Sequence, residues 1–199
     1  MKPFVIIGCD TSFSAFGICV VSFQIHEPIG VHAPILDRVH CEVLTSKPDN
    51  SGALSKGEDT SRRLREYFRR LHTLALENSD VLAVEATGFM PGRSHFRTIH
   101  TTARARQIVD DVGAACWVPV IEVTSSDVGK KAVDKPKGKS PKEERVASLS
   151  ERHPLFAAAL SHVKPSLAEH AADAFATVLV AMPRALQSQG YSKLAEYEP

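Results

Sequence analysis

Four residues carry the chemistry this chain offers most openly: Asp10, Glu85, His170 and Asp173. His170 and Asp173 are three apart in His170-Ala-Ala-Asp173-Ala-Phe-Ala176, the start of an apolar segment that reaches Met182. On a helix that spacing places both side chains on one face. A bare carboxylate in such a run is costly unless a metal, a cation or hydrogen bonds compensate it. The plain alternative is a buried helix with one satisfied aspartate. Asp10 closes the apolar stretch Phe4-Val-Ile-Ile-Gly-Cys, and Glu85 closes Val81-Leu-Ala-Val. If these are parallel neighbouring strands, both carboxylates reach the same sheet edge, where a crossing helix can add His170 and Asp173. Crowded carboxylates repel each other, and divalent cations between them relieve that cost. Oxygen-rich ligands favour Mg2+ or Mn2+, and one imidazole tilts the preference slightly toward Mn2+. Two such ions can activate a water and stabilise the leaving oxygen of a phosphodiester.

The elements that must position these groups follow from periodicity and punctuation. Residues 4–10 read as a buried strand, 11–15 as a tight polar turn and 16–23 as a returning strand, with a third strand over 35–44. Residues 47–59, rich in Ser, Gly, Asp and Lys, read as a loop. A helix is expected over 60–78 with Leu64, Phe68, Leu71 and Leu74 or Ala75 as its apolar stripe, its arginines mostly facing away. A fourth strand covers 81–85, a loop 87–94, a helix 96–112 and a fifth strand 118–123. Residues 124–140 are polar and lysine-rich, expected to be a mobile loop. Ser140-Pro-Lys-Glu143 then signals a helix running to Arg152, broken by His153-Pro154, with a short helical turn over 156–162. Ser166-Leu-Ala-Glu169 reads as a capping box that starts the last helix at Leu167. The result is an α/β fold with a central five-stranded mixed sheet, its first three strands antiparallel, flanked by helices.

With 199 residues, 43% of them hydrophobic, the chain can bury a sizeable core as one domain, residues 1–184, followed by a polar tail over 185–199. A formal charge of +1 selects no partner, but the bases cluster: Arg62, Arg63, Arg65, Arg69 and Arg70; Arg93, Arg97, Arg104 and Arg106; and the lysines from Lys130 to Lys142. Clustered bases on a nearly neutral chain allow a polyanion-binding face, although solvated helix faces look similar. Cys9, Cys19, Cys41 and Cys116 form no close pair in sequence, so neither a zinc site nor a disulfide framework is expected. With no signal-peptide pattern and no membrane span, the expectation is a soluble intracellular protein, cytoplasmic or nucleoid-associated.

The order of these pieces resembles the RuvC family of Holliday-junction resolvases, which have a ribonuclease H-like fold. Ile7-Gly-Cys-Asp10 followed by Gly17 resembles the family's first strand and hairpin, and Val84-Glu85 followed by Phe89 its second-carboxylate motif and nearby aromatic. Lys130-Lys131-Ala-Val133 resembles its lysine motif, Lys142-Glu-Glu-Arg-Val146 supplies the second lysine, and His170-Ala-Ala-Asp173-Ala174 matches the closing motif, where some members have His and many Asp in first place. Each motif alone is weak; four in order at compatible spacing are not. Two departures stand out. The family's Asp-Pro-Gly turn is here Asp10-Thr11-Ser12, and 47–59 and 153–164 look like local elaborations, which suggests a divergent branch, phage-borne or organellar.

The resemblance implies a homodimer that opens a four-way DNA junction and nicks two opposing strands symmetrically, leaving 5'-phosphate and 3'-hydroxyl ends. It implies Asp10, Glu85, His170 and Asp173 as the set holding two Mg2+ ions, with Mn2+ also supporting activity, and no small-molecule cofactor or membrane partner. His170 is read either as a direct ligand, as holding a water, or as a proton carrier. Lys142, placed in a first helical turn against the dipole, is a candidate for stabilising the scissile phosphate, with Lys131 approaching from its loop. Phe89, flanked by Gly88 and Pro91, is suited to stack on an unpaired base. Arg93, Arg97, Arg104, Arg106, Lys130, Lys135, Lys137 and Lys139 are candidates for backbone contacts. Rival expectations are another nuclease of this fold acting on forks, flaps or RNA–DNA hybrids, and a junction-binding protein without catalysis. A sugar-kinase-like relative is disfavoured by the lack of a second lobe and of glycine-rich phosphate loops.

Overall fold

Residues 2–26, 33–86, 96–133 and 142–188 are described by the structure, a computed structural model. Its central strand, β1 (Phe4–Thr11), alternates between two cores: Phe4 and Ile6 belong to one, Ile7 and Cys9 to the other. β1 pairs antiparallel with β2 (Ala15–His26), which pairs antiparallel with β3 (Ala33–Thr45). On its other side β1 runs parallel to β4 (Val81–Glu85), and β4 parallel to β5 (Val120–Val123), giving the order β3-β2-β1-β4-β5. This is the five-stranded mixed sheet expected from the sequence.

Helices α1 (Lys56–Asn78) and α2 (Phe96–Cys116) cover one face through Leu64, Tyr67, Leu71, Ile108, Val109 and Val112. The other face receives α6 (Ala168–Ser188), with α3 (Ser125–Ala132), α4 (Lys142–Arg152) and α5 (Pro154–Leu160) packed around it. α6 is buried nearly all round over Ala171, Ala172, Ala174, Phe175, Ala176, Thr177, Val178 and Leu179, as a core helix must be if it has no solvated face there. Phe175 stacks on Phe156 of α5 with ring centroids 4.6 Å apart.

Two glycines let α6 press against the strands. A Cβ on Gly8 would lie 2.1 Å from the Ala174 carbonyl oxygen, and one on Gly17 would lie 2.3 Å from that of His170. Backbone therefore rests on backbone where α6 crosses β1 and β2. The polar turn between these strands is tied to the opposite layer: Tyr67 Oη donates to the Phe13 carbonyl at 3.1 Å, and the Arg63 guanidinium stacks 4.0 Å over the Phe13 ring.

Several boundaries differ from expectation, each for a local reason. α1 starts a turn earlier because Ser55 and Glu58 form a capping box, Ser55 N–H donating to Glu58 Oε2 at 2.8 Å. Part of the expected loop after β5 is helix: Thr124 caps α3 by accepting from the Asp127 N–H. Ser166 does not cap α6; it lies inside a 3-10 turn, Pro165–Leu167, and the α-helix begins at Ala168. α6 also continues past Pro183 to Ser188, with Ala185 and Leu186 fully buried, so the polar tail begins later than residue 185. Cys19 and Cys41, remote in sequence, are register partners whose thiol sulfurs lie 3.0 Å apart. The arginines of α1 are less available than their clustering implied: Arg62 binds Asp59 and Glu66, Arg70 binds Glu42, and Arg63 is buried, while Arg65 and Arg69 remain exposed.

α2 ends on a residue poorly suited to its backbone. Trp117 adopts φ 57° with its side chain 94% exposed, while Val118 N–H returns to the Gly113 carbonyl at 2.9 Å. A left-handed turn of this kind costs a non-glycine residue about 1–2 kcal/mol. Trp117→Gly is expected to stabilise the protein by about 1 kcal/mol, after allowing for glycine's greater unfolded-state entropy, a gain measurable by urea denaturation.

Candidate metal and phosphodiester site

Alternation on the two parallel strands settles where their carboxylates point. Ile6 and Phe4 of β1 face α6, and Asp10 continues that set; Val81 and Ala83 of β4 face α6, and Glu85 continues theirs. Cys9 pairs in register with Val84, so the next residues, Asp10 and Glu85, are neighbours at the carboxyl ends of both strands. Asp10 is also the register partner of Gly17, which lies under the His170 carbonyl. The glycine contact thus brings the first turn of α6 down onto Asp10. His170 Nδ1 and Asp10 Oδ2 are 2.6 Å apart, and His170 Nε2 lies 3.6 Å from Glu169 Oε1. Three positions along α6, Asp173 Oδ1 accepts from Arg145 Nη1 of α4 at 2.8 Å.

The electrostatics tie the three acids into one cluster. Burial, chiefly, and then the charge of Asp10 and of Asp173 hold the Glu85 carboxyl above the usual range, opposed by a hydrogen bond from Ser125 at the start of α3. Burial and the charge of Asp10 likewise raise Asp173, opposed by Arg145. Arg145 acts on both acids, and the sequence reading missed it. Its only signal was a position one helical turn beyond Lys142.

The donor set fits Mg2+ or Mn2+: three carboxylates from β1, β4 and α6, whose mutual repulsion a divalent cation would relieve, and one imidazole. Among the described residues, however, no three His, Cys, Asp or Glu side chains are arranged as a closed ion cage. The side chains are turned to partners within the protein, Asp10 to His170 and Asp173 to Arg145.

The basic candidates divide. Lys131 lies at the carboxyl end of α3, where Arg152 Nη2 takes its carbonyl and that of Ala132, each at 2.9 Å. Lys142 opens α4, its side chain outside the described residues. Arg104 is exposed on α2, and Lys130 is exposed with Asp127 3.5 Å away. Arg106 is engaged by Asp110 at 2.6 Å and Glu122 at 2.8 Å, because one face of α2 meets the edge strand β5 there, Phe89, Arg93, Lys135, Lys137 and Lys139, with the Arg97 side chain, lie outside the described residues.

The junction between α4 and α5 contains a pH-sensitive group. His153 is 2% exposed and meets the Phe175 ring edge-on; burial and the nearby charges of Arg152 and Lys131 lower its pKa to about 4. The unfolded chain binds this proton near pH 6.5 and the folded chain only near pH 4. Its contribution to stability is therefore complete above pH 6.5 and is lost as pH falls through that window, by up to about 3 kcal/mol. The thermal midpoint should fall accordingly, and His153→Gln should flatten that dependence.

Carboxylates at the ends of two adjacent parallel strands, after a three-stranded antiparallel meander and beneath a buried helix, define a ribonuclease H-like α/β fold. Within that class the chain is similar to Thermus thermophilus RuvC in complex with Holliday junction substrate, at 20% identity and TM-score 0.59 over 94% of this chain and 98% of that one. A second Thermus thermophilus RuvC structure shares 23% identity with TM-score 0.55 over the same shares. The yeast mitochondrial Holliday junction resolvase Ydc2 shares 13% identity with TM-score 0.55, over 94% of this chain and 80% of that one. No protein-family model matches the sequence, and comparison with curated proteins gives no match.

Proposed function

We propose that this protein is a divalent-metal-dependent endodeoxyribonuclease that resolves four-way DNA junctions as a homodimer. One observation carries the reading: Asp10, Glu85 and Asp173 come from β1, β4 and α6 to form one electrostatically coupled cluster at the sheet end. The fold shared with junction resolvases supports the choice of substrate.

Asp10, Glu85 and Asp173, with His170, are the residues that would hold the metal. Two Mg2+ or Mn2+ ions bound there supply a nucleophilic water at neutral pH and positive charge for the leaving 3' oxygen. The protein's own groups do the rest. His170 fixes the Asp10 carboxylate through Nδ1 and can carry a proton at the same edge. Lys142 and Lys131 supply charge to the scissile phosphate, while Arg104 and Lys130, with Arg93, Arg97, Lys135, Lys137 and Lys139, meet the DNA backbone. Phe89 stacks on a base unpaired at the crossover. A twofold protein suits a twofold junction, and simultaneous presentation of two sites suppresses half-cut products.

The test uses labelled mobile and immobile four-way junctions with Mg2+ or Mn2+, beside duplex, fork and RNA–DNA hybrid. Paired symmetric nicks with 5'-phosphate ends are the expected result. Preferential cutting of forks or hybrids would assign the site to another substrate class, and tight junction binding with no cleavage in either metal would make the protein a binding module.

A further inference from the structure

The cation already inside the carboxylate cluster is Arg145. Its guanidinium reaches in from α4 to Asp173, and its charge acts on Glu85 as well as on Asp173. The grip is slight for an arginine: Nη1 makes the contact to Asp173 Oδ1 at 2.8 Å, while Nε is buried with no hydrogen-bond partner. A two-handed arginine–carboxylate pair would be rigid; one made by a single terminal nitrogen can be displaced.

We propose that Arg145 and the divalent cation compete for Asp173, so that cation binding loosens α4 from α6. This rests on the nuclease reading above. A guanidinium beside a carboxylate offsets the negative charge that attracts a metal and repels the metal itself. Loading the site therefore requires Arg145 to give way. α4 also carries Lys142, one turn before Arg145 on the same helix. Releasing Arg145 frees the segment that brings Lys142 toward the phosphate, and it leaves a second cation in reach of that phosphate. Cation occupancy and lysine placement become one event. The coupling is reciprocal: DNA that draws Arg145 and Lys142 to its backbone makes Asp173 easier for the cation to take.

The test measures Mn2+ binding to the DNA-free protein by titration calorimetry. Arg145→Gln is expected to tighten the dissociation constant at least roughly tenfold, and Arg145→Lys, which keeps the charge, to stay within about twofold of wild type. A second measurement needs no variant protein to fold in wild-type form. In 15N-labelled wild type, the Nε–Hε resonance absent from Arg145→Lys should shift as Mg2+ is added, and should stay in place in Asp10→Asn. Unchanged or weaker Mn2+ binding in Arg145→Gln, or a stationary Arg145 resonance in wild type, overturns the competition. If wild type binds Mn2+ through Asp10 and only these arginine results fail, the nuclease reading survives. If wild type binds no Mn2+, or binds it equally well as Asp10→Asn, both readings fall.

Discussion

Glu85→Gln is expected to lower junction cleavage by about 10³-fold or more while making the metal-free protein more resistant to heat. Both effects come from one arrangement. Glu85 ends a fully buried run, Val81 to Val84, and stands beside Asp10 and Asp173. Its ionised form is disfavoured by burial first and by those neighbours second, so its pKa is raised in the folded state. A raised carboxyl contributes its full relative stability at low pH and loses it as pH rises through the folded value. At neutral pH the ionised Glu85 therefore costs stability, and the neutral glutamine removes that cost. The advantage of Glu85→Gln should shrink as pH is lowered below the ordinary glutamate range, because wild type is then protonated in both states. Thermal melts at pH 7 and pH 4, with and without Mg2+, read all of this. Mg2+ should stabilise wild type far more than the variant, because glutamine brings no charge to a cation. A variant that loses activity without becoming more stable would contradict the electrostatic account of the cluster.

How much of this was legible in the sequence depends on whether the deciding contact is local. The strands were legible because β1 and β4 are apolar runs terminated by a carboxylate. The meander was legible because 4–23 alternates around one polar turn. α3 was missed although Thr124-Ser-Ser-Asp127 is a capping signal, because the lysines and Pro136 that follow weigh toward loop. The early start of α1 was missed for the same reason: Ser55 and Glu58 sit inside a stretch whose composition reads as loop. At the start of α6 the error runs the other way. A valid capping pattern at Ser166 loses to Pro165, which sets a 3-10 turn first and moves the α-helix one residue on.

The acids of the site were legible and its cations were not. Asp10, Glu85 and Asp173 stand out because a carboxylate in an apolar segment is anomalous wherever the chain goes. An arginine in a charged helix is anomalous only once its partner is known. Arg106 and Arg145 look alike in sequence, yet Arg106 is held by Asp110 and Glu122 far from the cluster, and Arg145 is held by Asp173 within it. Charge clustering therefore overstated the polyanion face and understated the site. The pairing of Cys19 with Cys41 was hidden in the same way, since only the β2–β3 register brings the two thiols together.

Gly17→Ala is expected to destabilise the fold by about 3 kcal/mol and to cost most of the cleavage activity in whatever fraction stays folded. The added methyl would lie 2.3 Å from the His170 carbonyl oxygen and 2.8 Å from its carbonyl carbon, distances no Cβ tolerates. The obstacle is helix backbone, not the end of a flexible side chain, so relief requires α6 to lift from β2. Lifting its first turn moves His170 away from Asp10, against which it now rests at 2.6 Å, and carries Asp173 with it. Stability and geometry thus fail together. Gly129→Ala provides the control, because a Cβ there meets nothing within 4 Å. In the middle of α3 that substitution should stabilise by about 0.5–1 kcal/mol through helix propensity alone and leave cleavage unchanged. The same chemical change then has opposite signs at two glycines, according to whether helix backbone or open space faces the hydrogen that is replaced. Urea denaturation of both variants decides it: equal shifts would mean that α6 is not seated on β2 as described. A Gly17→Ala protein that is destabilised but fully active per folded molecule would instead separate the seating of α6 from the placement of His170 and Asp173.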